Sequence, residues 1–162
     1  MLTAPARAPE FILQDDQGTD TSLTDLLQSG PLILYFYPAD FTPGCTREAC
    51  AIRLIHEDLV SVGLTVAGVS LQEPESHARF RKEYDLPFVL LSDPDKVAIK
   101  MYDVDGPLGV GVRRATFLIN QDRSIHDSML ADVRISRHEK FIKKAIILRQ
   151  TVGLKALRDI DI

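Results

Sequence analysis

The chain is expected to fold as a three-layer α/β sandwich, a mostly parallel sheet between two layers of helix. Two observations carry that expectation. The runs Leu32–Tyr37 and Leu64–Leu71 are apolar almost throughout, as strands buried on both faces of a parallel sheet are. Each precedes a segment of helical period, and the order from Leu32 onward is strand, helix, strand, helix, strand, strand, helix. Parallel strands joined by helices and closed by an antiparallel hairpin make this architecture.

Each element has its own signal. Phe11–Leu13 reads as a short strand and 14–19 as a polar turn with Gly18. Ser22–Leu27 reads as a capped helical turn ending before Gly30. The long helix is expected over Thr42–Val62, followed by the second buried strand. Glu75–Tyr84 and Val97–Tyr102 are helical in pattern, with Phe88–Leu91 extended between them. Ala115–Asn120 and Ser124–Leu130 form a hairpin around 121–123, and Ser136–Arg149 is the closing helix. That order matches a thioredoxin-like fold with an N-terminal strand extension, in one domain over residues 1–162.

The composition narrows function. With 162 residues, 45% hydrophobic and 26% charged, the chain can bury a core and is not a disordered one. Its longest strongly apolar run, Leu32–Tyr37, is too short to span a bilayer. Met1–Pro9 lacks the basic flank and apolar core of a secretory leader. A net charge of −4 argues against nucleic acid as the main ligand. Two cysteines make no disulfide framework, so a reduced, cytoplasmic protein is expected.

Both cysteines lie in the segment that follows the first buried strand, Pro38-Ala39-Asp40-Phe41-Thr42-Pro43-Gly44-Cys45-Thr46-Arg47-Glu48-Ala49-Cys50. Ligands of open α/β sheets bind at this edge, beyond the carboxyl ends of the strands. Thr42 suits the N-cap and Pro43 the first helical position, which puts Cys45 third. A thiolate there meets unpaired N–H groups and the positive end of the helix dipole, and Thr42 is placed to donate its hydroxyl to it. Such positions make a thiol acidic and nucleophilic, whereas a buried cysteine elsewhere is a small hydrophobe.

Helical projection separates the two thiols. Cys45 shares an inward stripe with Ala49, Ile52, Ile55 and Leu59, and Cys50 lies about 140° away among Thr46, Arg47, Arg53, Leu54 and Glu57. Opposed cysteines without histidine partners do not make a zinc site. The spacing also differs from Cys-x-x-Cys, which disfavours a thioredoxin-type exchanger.

Pro38-x-x-x-Thr42-x-x-Cys45 resembles the active-site signature of peroxiredoxins, and Cys50 five residues on resembles the bacterioferritin comigratory protein, or Q-type, group. Val69-Ser70, Ser76-His77-x-x-Phe80, Leu86-Pro87-Phe88-x-Leu90-Leu91-Ser92-Asp93 and Arg114-Ala115-Thr116-Phe117-Leu118-Ile119 add to the likeness, over roughly nine-tenths of the chain. The resemblance implies thiol-dependent reduction of hydrogen peroxide and organic hydroperoxides. It makes Cys45 the peroxidatic nucleophile and Cys50 the resolving thiol, recycled by thioredoxin or a similar dithiol. Thr42 would hydrogen-bond thiolate and peroxide, Pro38 would shield the pocket, Arg114 would complete the site, and Gly44 with Thr42 and Arg114 would contact substrate. No cofactor, metal or membrane is implied. A monomer is the expected state, with a dimer as the alternative. A non-catalytic redox sensor and a thiol-disulfide exchanger on the same fold are the rival readings; a sensor would be oxidised without turnover.

Several residues are expected to matter only locally. Arg113 and Arg114 alternate across a strand, so only one enters the pocket. No proline precedes that strand, where thioredoxins carry a cis-proline. Gln72, Asp103 and Arg123 depart from the family pattern, which often has aspartate at the first position and glycine at the other two. Gly106, Gly109 and Gly111 permit a mobile loop. His56 reads as a hydrogen-bonded core histidine and His77 as serving local packing or a hydrogen bond, while His126 and His138 carry no signal. Arg134, Arg137, Lys140, Lys143, Lys144 and Arg149 read as the solvated face of the last helix, and 154–162 as a folded-back turn or a subunit contact.

Overall fold

A computed structural model of the chain describes residues 1–158. One sheet contains β1 (Ile12–Asp15), β2 (Asp20–Ser22), β3 (Leu32–Phe36), β4 (Thr65–Ser70), β5 (Val89–Ser92), β6 (Ala115–Ile119) and β7 (Ile125–Leu130). Their spatial order is β2-β1-β5-β4-β3-β6-β7. The helices are α1 (Leu23–Leu26), α2 (Pro43–Leu54), α3 (His56–Ser61), α4 (Pro74–Glu83), α5 (Val97–Met101) and α6 (Ile135–Arg158).

Strand β3 is central because every residue in it is buried. Leu32, Leu34 and Phe36 face one core with Leu23, Ile99, Tyr102 and Phe117. Ile33, Tyr35 and Tyr37 face the other with Cys45, Ala49, Ile52, Phe80 and Ile142. The period-2 alternation thus feeds two apolar layers, which is why the run is continuously hydrophobic. β3 runs parallel to β4 and antiparallel to β6, with Phe36 opposite Ala115. That register brings the start of β6 to the carboxyl end of β3, where α2 begins. Tyr35 lies across Gly68, where an added Cβ would come within 2.7 Å of its ring.

Several expectations need correction. The single helix over Thr42–Val62 is two, broken at Ile55 (φ −108°, ψ 9°). The apolar stripe misses this because Ile52 and Leu59 remain inward on both sides of the break. Around that break His56 is only half-buried against the Phe88 ring and makes no hydrogen bond among the described residues, so it is no hydrogen-bonded core histidine. Strand β2, for which no element was expected beyond Ser22 in the helical cap, pairs with β1 through three residues, too few to show a pattern. Helix α6 continues to Arg158 rather than stopping at Arg149, and the rest of the tail, 159–162, lies outside the described residues.

Asp103 and Arg123 explain their own positions. Both take left-handed backbone, φ 53° and 69°, which glycine enters more readily. Each side chain ties down the N-terminal segment: Asp103 pairs with the Met1 amine, and Arg123 donates to the Ala8 carbonyl at 3.0 Å.

Candidate active site

The sequence builds the site at the start of α2. Thr42 is extended at the N-cap (φ −70°, ψ 146°), Pro43 opens the helix, and Cys45 is its third residue. The Thr42 hydroxyl donates to the Ala39 carbonyl at 3.0 Å. It therefore makes neither the cap bond nor the expected bond to Cys45, because its one proton is committed to the turn before the helix. The first-turn N–H groups of α2 stay without a side-chain cap and turn their positive end toward Cys45.

Cys45 is 2% exposed, and Arg114 Nη2 donates to its sulfur at 3.3 Å. Arg114, just before β6, is 4% exposed. Arg113 points the other way, to Asp132 at 2.7 Å on the surface. Gly44 makes room for the guanidinium, since an added Cβ would stand 3.3 Å from Arg114 Nη2 and 3.3 Å from Ile135 Cδ1. Pro38 is half-buried where β3 leaves the sheet. Cys50 is free and half-buried, as Cys45 is free and buried, on the other side of α2. Thus Cys45, Gly44 and Arg114 converge, Thr42 stands at the N-cap of the same helix, Pro38 follows β3, and Cys50 stands apart.

Two buried carboxylates flank this centre, and the sequence reading missed both. Asp40 Oδ1 accepts from the Tyr37 hydroxyl at 2.7 Å, and Oδ2 faces Ser76 Oγ at 2.8 Å and His77 Nδ1 at 2.8 Å. The Asp40 N–H reaches Gln72 Oε1 at 3.1 Å, so the residue at this departing position fastens the active-site loop to the end of β4. Burial alone would raise the Asp40 carboxyl, but the bonds from His77, Tyr37 and Ser76 outweigh it and hold it below the usual value. His77 also reaches the Leu91 carbonyl at 3.1 Å, the hydrogen-bonding role expected for it.

Glu48 lies on the other side, 2% exposed, with Oε2 accepting from Arg114 Nη1. Burial pushes its carboxyl up to about 7 against the pull of Arg114. Behind it stands His138 of α6, fully buried, with Nδ1 on Thr116 Oγ1 at 2.8 Å and Nε2 on the Ala131 carbonyl at 2.9 Å. His138 is therefore a structural anchor of the site wall, contrary to the expectation that it carries no signal. A signal did exist: Glu48 sits on the apolar stripe of Cys45 and Ile52, and His138 on that of Phe141, Ile142 and Ala145. A polar side chain on such a stripe needs a buried partner.

The AhpC/TSA family model matches residues 5–128. The chain belongs to the AhpC/TSA family. A Coxiella burnetii protein carrying the peroxiredoxin bcp designation is 39% identical over 138 residues, covering 82% of this chain and 90% of that one. The peroxiredoxin Bcp of Bacillus subtilis is 37% identical over 122 residues, covering 72% and 77%. The crystal structure of peroxidoxin BcpB from Mycobacterium tuberculosis superposes with a TM-score of 0.85 at 31% identity, covering 94% of this chain and 99% of that one. This peroxiredoxin is a thioredoxin-fold thiol peroxidase, served by peroxide substrates and a thioredoxin-type reductant. Among the described residues no helix is long and apolar enough to cross a membrane.

Proposed function

We propose that Cys45 attacks hydrogen peroxide and organic hydroperoxides, and that Cys50 resolves the product within the same chain. The observation that carries this is the Cys45 sulfur at the uncapped start of α2, 3.3 Å from the Arg114 guanidinium. The thiolate sulfur bonds the terminal peroxide oxygen as the O–O bond breaks, giving a sulfenic acid and an alcohol or water. Arg114 and the free helix N–H groups hold the negative charge as it moves to the leaving oxygen. Gly44 admits the peroxide, Pro38 screens it from solvent, and the Thr42 hydroxyl oxygen offers an acceptor. Cys50 then condenses with the sulfenic acid, releasing water, and an external dithiol reduces the disulfide.

Resolution demands motion. Helix residues five apart have Cα atoms ~8.6 Å apart, whereas a disulfide needs less than about 7 Å. The first turns of α2 therefore unwind once Cys45 is oxidised, at a helix end where local opening is inexpensive. The reducing cytoplasm fits two free thiols of this kind.

Peroxide consumption with a thioredoxin system tests the reading. Cys45→Ser should abolish it. Cys50→Ser should keep the first reaction within about twofold, since Cys50 is outside the pocket, yet stop turnover. Turnover by Cys50→Ser at the unmodified rate overturns the intramolecular cycle. Oxidation without turnover in the unmodified protein points to a sensor instead.

A further inference from the structure

Arg114 stands between two acids. Nη2 donates to Cys45 Sγ at 3.3 Å and Nη1 to Glu48 Oε2, all three residues being nearly sealed from solvent. One cation neutralises one anion. A thiolate and a carboxylate together would leave a buried charge uncompensated, which costs several kcal/mol in order of magnitude. Two acids sharing one site do not both ionise freely.

The second oxygen of Glu48 indicates which form the pocket accepts. Oε1 is buried and has no hydrogen-bond partner. It faces His138 Nδ1 at 3.7 Å. A carbonyl only accepts, so His138 Nε2 carries the proton donated to Ala131. Burial, with Arg114 and Arg137, keeps the ring below the usual histidine value and hence neutral, so Nδ1 is a lone pair accepting the Thr116 hydroxyl. His138 thus offers Oε1 no proton, and among the described residues no side-chain donor lies within bonding distance of it. A neutral carboxylic acid, by contrast, leaves no unpaired charge on that buried oxygen. Tyr35, the ionisable group on β3 here, is buried with an unpartnered hydroxyl and is held well above its ordinary value by burial and by Glu48 and Cys45, so it adds no charge.

Resting on the peroxidase reading above, we propose that Glu48 is a positioning residue that holds a proton while Cys45 is a thiolate and releases it when peroxide consumes that thiolate. Before reaction the cluster is thiolate, guanidinium and carboxylic acid. Sulfur then bonds the terminal peroxide oxygen, which keeps its hydrogen, and the alkoxide or hydroxide that leaves gains one proton. Glu48 loses one, and the cluster becomes sulfenic acid, guanidinium and carboxylate. The pocket is neutral in both states. Arg114 turns its charge from sulfur to Glu48 as the reaction proceeds, so the step creates no buried net charge.

Proton bookkeeping tests this. In weakly buffered solution just below pH 7, Cys50→Ser protein, which stops at the sulfenic acid, is mixed with hydrogen peroxide and an indicator dye. Glu48→Gln on the same background should take up as much as one more proton from solution per sulfenic acid formed. In the infrared difference spectrum, oxidation should convert a protonated glutamic acid band into a carboxylate band, and the Gln variant should lack both. If Glu48→Gln does not fold, isotope-labelled glutamate in the Cys50→Ser protein still reports the band. Equal proton uptake at equal sulfenic acid yield, or no glutamate band, overturns the proposal. Failure to form sulfenic acid at all would instead defeat the assignment of Cys45.

Discussion

Asp40 and Glu48 are both buried carboxylates beside a buried histidine, on opposite sides of the same helix start, yet their protons behave in opposite ways. The difference lies in the donors each can reach. Asp40 faces a tyrosine, a serine and a histidine within 2.8 Å and is held below the usual carboxylate value. Glu48 has Arg114 on one oxygen and nothing on the other, and burial carries it up to about 7. Burial alone does not set a carboxyl's charge. The count of available donor protons does. The Asp40 side thus works as a fixed clamp on the loop before Cys45, while the Glu48 side keeps a proton to spare.

Arg114→Ala should have the largest effect, because it removes the cation the two acids share. Peroxide reduction should fall about 10²–10³-fold, read from single-turnover oxidation of Cys45. A loss under tenfold would mean that the helix N-terminus alone stabilises the thiolate.

The two carboxylates should tilt stability against pH in opposite directions. Glu48 keeps its proton up to about 7 in the fold, whereas its ordinary value is 4.5. The unfolded chain therefore ionises first, and stability falls as pH rises from 4.5 to 7, by at most roughly 3 kcal/mol. Asp40 is held below its ordinary 3.8, so its contribution is present above that pH and is lost as pH falls. Urea unfolding across pH 5–8 should flatten in Glu48→Gln; an unaltered slope would show that Glu48 ionises alike in both states.

Asp40→Asn should cost about 2 kcal/mol, since an amide replaces an oxygen that accepts from its neighbours. It should leave the slope above pH 5 intact, as urea midpoints will show. A slope altered as in Glu48→Gln would mean that the two sides are coupled. The smallest effect belongs to Arg113→Ala. Its pair with Asp132 is about two-fifths exposed on each side, and such surface pairs contribute under about 1 kcal/mol. Peroxide reduction should change less than about twofold, and equal losses from Arg113→Ala and Arg114→Ala would reverse their assignment.

Local chemistry reached much of this from the chain alone. The continuous apolar run of β3, the Thr42-Pro43 start of α2 and the alternation of Arg113 and Arg114 are each decided by residues close in sequence, through period, cap preference and strand geometry. Those features located Cys45 and its helix. The meeting of Arg114 with Cys45 required β6 to pair antiparallel to β3, which the tertiary structure supplies. Beyond that, the tertiary structure decided. Whether Thr42 turns its proton to Cys45 or to Ala39, and whether Gln72 reaches Asp40, depend on loop paths with no period to read. The protons of Glu48 and Asp40 are decided by Tyr37 just after β3, Arg114 just before β6, His77 of α4 and His138 of α6, the last of them 90 positions from Glu48 in the chain. A carboxylate's charge is set by which donors surround it in space, and sequence order does not encode that count directly.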